Sequence, residues 1–149
     1  MATRAAARTE VWGDKMPNTG SPISFDVTGE QLNGVARLQA RGELDLSTAP
    51  LLERAFTAVE ELQPSTIVLD FRHLAFIDST GLQALLRAHA RATESGRLLA
   101  VINGTDGVRK VFELTGTDHL LAPTLPADVI GALLLEGWSP IEIPGANGG

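Results

Sequence analysis

The sequence contains no cysteine. That excludes a disulfide framework, a zinc-thiolate centre and a thiol redox switch within this chain, and it suits a reducing compartment. Long apolar runs are missing too. ALLL and LLAVI are far shorter than the roughly 20 residues a membrane-spanning helix needs. The opening MATRAAARTEVW is positively charged, but no apolar stretch follows it, so no secretory signal is read and a cytoplasmic location is expected. Positive charge is not in excess: 12 Lys and Arg stand against 18 Asp and Glu, a net charge of -6. No cluster of Lys and Arg lines one face, which sets direct nucleic-acid binding aside.

Catalytic signatures are also missing. Ser79 is preceded by Ile77-Asp78, not by the glycine two residues back that a nucleophile elbow requires. The three histidines, His73, His89 and His119, have no spacing that implies service to Ser79. No H-x-x-x-H pair or carboxylate cluster suggests a metal, and no G-x-x-x-x-G-K-[ST] loop occurs. Asp70 ends an apolar strand as a receiver-domain phosphoacceptor would. The acidic pair and the late strand-end lysine of that machinery are absent, since Lys110 falls inside a helical pattern. The expectation is a non-enzymatic protein without cofactor or metal.

What is present is a chain of 149 residues, 44% hydrophobic and 20% charged, long enough for one domain with a sizeable core. Residues 1–22 show no period and read as a flexible arm, with Trp12 a loose contact. Residues 138–149, rich in Gly and Pro, read as a flexible tail. ISFDV and VARLQAR alternate as half-buried strands, and Asn33-Gly34 between them marks a tight hairpin. STAPLLERAFTAVEEL takes helical spacing, with Ser47 or Thr48 as its cap. TIVLDF and RLLAVI are continuously apolar central strands. TGLQALLRAHARATE, DGVRKVFELTG and PADVIGALLLEG are helices, and a short strand is expected near His119–Ala122. The predicted fold is α/β: a mixed sheet with a parallel centre and an N-terminal hairpin, and about four helices packed mainly on one face.

The stretch FIDSTGL, Phe76–Leu82, stands at the start of the second long helix. Thr80 with Gln83 fits a capping box, Ser79 could cap equally well, and Asp78 suits the positive end of the helix dipole. A second reading is a phosphorylation switch. A helix N-terminus tolerates an anion, so a phosphate on Ser79 would add roughly -1.5 to -2 charge at the surface while the core stays folded.

GELDLSTAP at Gly42–Pro50, IVLDF before FIDSTGL, and VFELTGTDHLL at Val111–Leu121 together resemble the STAS domain, in particular the bacterial anti-sigma factor antagonists. The resemblance covers residues 23–137. It implies a STAS-like fold and a protein that binds an anti-sigma factor, often a serine kinase, and so frees a sigma factor. Phosphorylation of Ser79 would end that contact and a phosphatase would restore it. Glu43 and Asp45 match the loop beside the acceptor, and Asp78, Thr80 and Gly81 shape the helix start. Gln83 and Arg87 continue along the exposed side. For Asp45 a turn-forming role, and for Gln83 and Arg87 a solvated face, stand as alternatives. The resemblance is compatible with a monomer or weak dimer without a membrane span. Alternative readings are a STAS scaffold or accessory subunit, and a nucleotide-binding STAS protein.

Overall fold

The computed structural model describes residues 25–121 and 125–145. Strands β1 (Phe25–Leu32) and β2 (Val35–Leu44) form the expected hairpin. Asn33 and Gly34 both take positive φ, 52° and 80°, as a two-residue turn compatible with strand twist requires. The chain continues through α1 (Ala49–Glu60), β3 (Thr66–Ile77), α2 (Ser79–Glu94), β4 (Leu98–Asn103) and α3 (Asp106–Leu114). A single 3-10 turn at Asp118–Leu120, α4 (Ala127–Leu133) and β5 (Ser139–Ile141) follow.

The strands lie in the order β4-β3-β2-β1-β5. β2, β3 and β4 are parallel, while β1 is antiparallel to both of its neighbours. Alternation decides which residues face which layer. Ala36, Leu38 and Ala40 of β2, Ile67, Leu69 and Phe71 of β3, and Leu99 and Val101 of β4 face α1, α2 and α3. Phe56 and Phe112 close that core from the helix side. Val35 and Val68 point the other way and meet Val129 and Ala132 of α4. Three helices thus cover one face and the short α4 the other, which explains why β3 reads as apolar on both sides from Thr66 to Phe71. Among the described residues no helix is long and apolar enough to cross a membrane.

The element boundaries depart from the sequence expectations in three places. β3 does not stop at Phe71 but runs to Ile77, so His73 lies within a strand. Register shifts against β2 after Gln39 and after Gly42 break the simple alternation there. Near His119 the expected strand is a 3-10 turn plus one bridge, Val101 to Leu121, and residues 122–124 lie outside the described ones. Residues 138–145 are part of the fold, although their Gly and Pro content suggested a flexible tail. Ser139, Pro140 and Ile141 pair with Gln31, Glu30 and Gly29, and Ile143 is buried. Trp138 stacks 4.3 Å over the Arg37 guanidinium. Trp12 and the expected arm of residues 1–22 lie outside the described residues.

Among the described residues one charged group is buried in the sheet. Asp70, 2% exposed, sits on the α4 face of β3. Its Oδ1 accepts from the Arg72 backbone N–H at 2.9 Å and from Nε at 3.0 Å, and its Oδ2 accepts from Nη2 at 2.8 Å. Burial pushes this carboxyl up, but the Arg72 hydrogen bonds and charge outweigh it and hold it below its ordinary value. With a folded pKa below the unfolded one, the pair's stabilisation is present above pH of about 4 and is lost as pH falls through the folded value. Arg72→Ala leaves the carboxylate buried with its side-chain partner gone. Urea denaturation at pH 7 is expected to show a loss of about 1–3 kcal/mol. The acid transition should move to higher pH, because burial of Asp70 is then opposed only by the residue-72 backbone N–H and the His73 charge.

Candidate functional site

The site is built where two parallel strands end together. Glu43 lies beside Phe76 and Leu44 beside Ile77, so the chain leaves the sheet at Asp45 and Asp78 from neighbouring positions. The Asp78 N–H donates to the Leu44 carbonyl at 3.0 Å and fixes that departure. Sequence places GELD and DSTG more than thirty residues apart; the β2–β3 register puts them side by side.

Asp78 caps α2. Its Oδ1 accepts the Gly81 N–H at 3.0 Å, satisfying one of the donors that a helix start leaves free. Capping by Ser79 or by a Thr80–Gln83 box is therefore corrected: the residue one position earlier has the extended backbone a cap needs. Ser79 is instead the first helical residue and is exposed, with no partner for its hydroxyl among the described residues. Thr80 is half-buried. Gly81 is buried against β2. A Cβ there would stand 2.6 Å from Leu44 Cγ and 3.1 Å from Leu44 O, so only glycine lets the first turn of α2 lie this close to the strand end. Gly81 thus acts through its backbone and offers no side chain to a partner.

The loop from Glu43 to Ala49 is held by its own polar groups. Asp45 Oδ1 accepts from the Ser47 and Thr48 N–H groups at 3.0 and 3.1 Å, and from Ser47 Oγ at 2.8 Å. Thr48 Oγ1 accepts the Asp45 N–H at 2.9 Å and donates to the Glu43 carbonyl at 2.8 Å. Thr48 occupies the N-cap position of α1, yet neither it nor Ser47 caps the helix through a side chain; their hydroxyls turn back into the loop. Asp45 is therefore a turn-forming aspartate whose partly exposed carboxylate borders the Ser79 surface.

Two residues of this surface were not singled out in the sequence. Leu46 is 74% exposed in the loop after β2, and Phe76 is 48% exposed near the end of β3. Leu46 carries a legible signal, an apolar residue between the turn-forming Asp45 and Ser47. Phe76 does not, because its exposure follows from the shifted register of β3. Ser79, Gln83 and Arg87 recur at helical spacing along the exposed side of α2. Gln83 points to solvent. Arg87 is engaged with α1, its Nη2 lying 2.6 Å from Glu53 Oε2, and Arg91 Nε bonds Glu60 Oε2 at 3.0 Å. Arg87 therefore helps to fasten α2 to α1.

Comparison with known proteins places these features in a wider set. The family profile described as "Mlab, STAS domain" matches residues 28–123. The anti-sigma-F factor antagonist RsfB of Mycobacterium tuberculosis is 34% identical over 107 residues, covering 66% of this chain and 88% of that protein. The anti-sigma-B factor antagonist of Staphylococcus aureus is 28% identical over 80 residues, covering 54% of this chain and 74% of its own. The crystal structure of an anti-sigma factor antagonist from Mycobacterium paratuberculosis superposes with a TM-score of 0.65 at 29% identity. It covers 77% of this chain and 99% of that one.

The geometry of the α2 start generates two expectations. Gly81→Ala forces Leu44 aside in a packed core, costing about 1–3 kcal/mol. That exceeds the gain in helix propensity of up to ~1 kcal/mol. Thermal denaturation should show the net loss, and equal or greater stability would contradict the close packing. Asp78→Ala removes the cap and should cost about 1 kcal/mol, while Asp78→Ser retains most of it.

Proposed function

The chain belongs to the STAS-domain family of anti-sigma factor antagonists, and from that membership we propose that it binds an anti-sigma factor, frees the sigma factor that factor held, and is released by phosphorylation of Ser79. The observation that carries the reading is Ser79 itself: an exposed hydroxyl, unpartnered among the described residues, on the first turn of a 16-residue helix. The anti-sigma factor is a serine kinase. Ser79 Oγ attacks the γ-phosphorus of its bound ATP, ADP departs, and the hydroxyl proton passes to a base of the kinase. A phosphatase hydrolyses the phosphoserine and resets the surface. In this scheme the chain contributes no catalytic group and is the substrate. It works in the cytoplasm, as a monomer or weak dimer, without touching nucleic acid.

The surface around Ser79 suits contact. Leu46 and Phe76 offer exposed apolar anchors, and burying one such side chain contributes about 1.5–3 kcal/mol. Glu43, Asp45, Asp78, Thr80 and Gln83 supply the polar surround. Gly81 and Arg87 contribute indirectly, Gly81 by letting α2 approach Leu44 and Arg87 through its pairing with Glu53. A phosphate on Ser79 sits at a helix N-terminus, where free N–H groups and the dipole favour it by about 0.3–1 kcal/mol. The fold therefore tolerates the mark. A partner carboxylate about 6 Å away does not: at an effective dielectric near 20 each unit charge pair repels by roughly 3 kcal/mol.

That repulsion sets the expected result. Calorimetric titration of the anti-sigma factor should give an affinity about a hundredfold lower for Ser79→Asp than for the wild type. Ser79→Ala should bind as tightly as wild type, take no phosphate from ATP and the kinase, and show the same far-UV circular dichroism. Unchanged affinity of Ser79→Asp would point instead to a permanent scaffold subunit.

A further inference from the structure

A groove of 510 Å³ lies between α1 and the chain that passes through β5 to Pro144. Its volume falls within the range of about 300–1,000 Å³ typical of ligand-binding sites. Leu62, Ile141 and Pro144 give it apolar walls, while Glu53, Glu61 and Glu142 place three carboxylates on it. Arg54 is the one cation among its described lining residues, and its guanidinium lies against Gly145 at the end of the described chain. The groove is thus apolar within and acidic in balance, on a protein whose net charge is already -6.

Its position ties it to Ser79. Glu53 belongs both to the groove and to the ion pair with Arg87. Ser79 and Arg87 are eight residues apart on the exposed side of α2, about 12 Å along its axis at 1.5 Å per residue. The exposed side of α2 therefore leads from the hydroxyl to Glu53 and the edge of the groove. A standard protein interface covers about 800 Å² on each partner, a disc roughly 32 Å across. A partner seated off-centre over Ser79 spans the distance to Arg87 and to Glu53 at the edge of the groove.

We propose that the partner which reads Ser79 also fills this groove, inserting an apolar side chain flanked by lysine or arginine. The inference rests on the Ser79 reading above and adds to it a second anchor outside the reach of the phosphate. Charge selects this occupant over the alternatives. A second copy of the chain brings the same acidic balance to the contact, and an acidic segment meets Glu61 and Glu142, the two carboxylates of the groove that remain once Arg87 holds Glu53.

The test uses a photo-crosslinker in the full chain in its native host. p-Benzoylphenylalanine replaces either exposed residue, as Glu61→p-benzoylphenylalanine in the groove or Gln83→p-benzoylphenylalanine beside Ser79, and the adducts are mapped by peptide mass spectrometry. The expected result is one and the same protein at both positions. The position-61 adduct should map to an apolar residue flanked by Lys or Arg, and both adducts should fall at least about tenfold with Ser79→Asp. A position-61 adduct to a second copy of this chain, to a different protein, or to nothing overturns the inference while position 83 still reports the partner. If both adducts persist with Ser79→Asp, it is the phosphorylation reading that fails. Once that protein is purified, Glu61→Arg should weaken its binding by roughly tenfold with the melting temperature unchanged; equal affinity would also overturn the inference.

Discussion

The hydrogen bond from the Asp78 N–H to the Leu44 carbonyl governs the geometry of the whole site. It is the last rung between two parallel strands, and Asp45, Leu46, Ser79 and Thr80 lie one or two residues beyond it. It fixes where β3 stops and therefore where α2 starts. A slip of one residue in that register would turn each side chain of β3 to the opposite face of the sheet and rotate the start of the helix with it. Gly81 tightens the same joint from the helix side by letting the first turn rest on Leu44. Sheet register, helix cap and glycine contact are thus three statements of one constraint, the angle at which Ser79 leaves the surface.

Around that joint the residues divide into those that are held and those that are offered. Asp45 and Asp78 spend carboxylate oxygens on backbone N–H groups, and Thr48 bridges the two ends of its loop. Ser79, Gln83, Leu46 and Phe76 remain accessible. The division suits the switch proposed for Ser79, which changes the surface without remodelling the protein beneath it. Charge added to Ser79 meets a helix end that favours it, and no core residue needs to move. The fastening of α2 to α1 through Arg87, Arg91, Glu53 and Glu60 has the same effect, since it keeps the exposed side of α2 in one place whatever is attached at its start.

Much of this was legible in the residues themselves, because local pattern and tertiary structure agree there. The Asn33-Gly34 hairpin, the alternation of β2 and the apolar stripes of α1 and α2 each reflect one dominant local preference. The exposed Ser79 at a helix start follows from the same patterns. What escaped depends on contacts between distant segments. Asp78 rather than Ser79 or Thr80 caps α2 because Leu44 already holds its N–H. The reason for Gly81 is a strand more than thirty residues earlier. Phe76 is exposed because β3 shifts register, and α4 lies on the second face because Val35 and Val68 need cover. β5 was hidden by its own composition: a proline is a poor strand signal, yet an edge position with no neighbour to serve accepts one.

β5 also bears on how the protein can be handled. With Ser139–Ile141 in place, the hairpin half of β1 is covered by a strand too short, and too marked by Pro140, to template another sheet. Cut the chain after Gly137 and no strand among the described residues covers the outer edge of β1, while the Ile143 pocket is opened beside it. A fragment ending at Gly137 would therefore be prone to stick to itself, and a purification handle belongs beyond Gly145, where it leaves this protective strap intact.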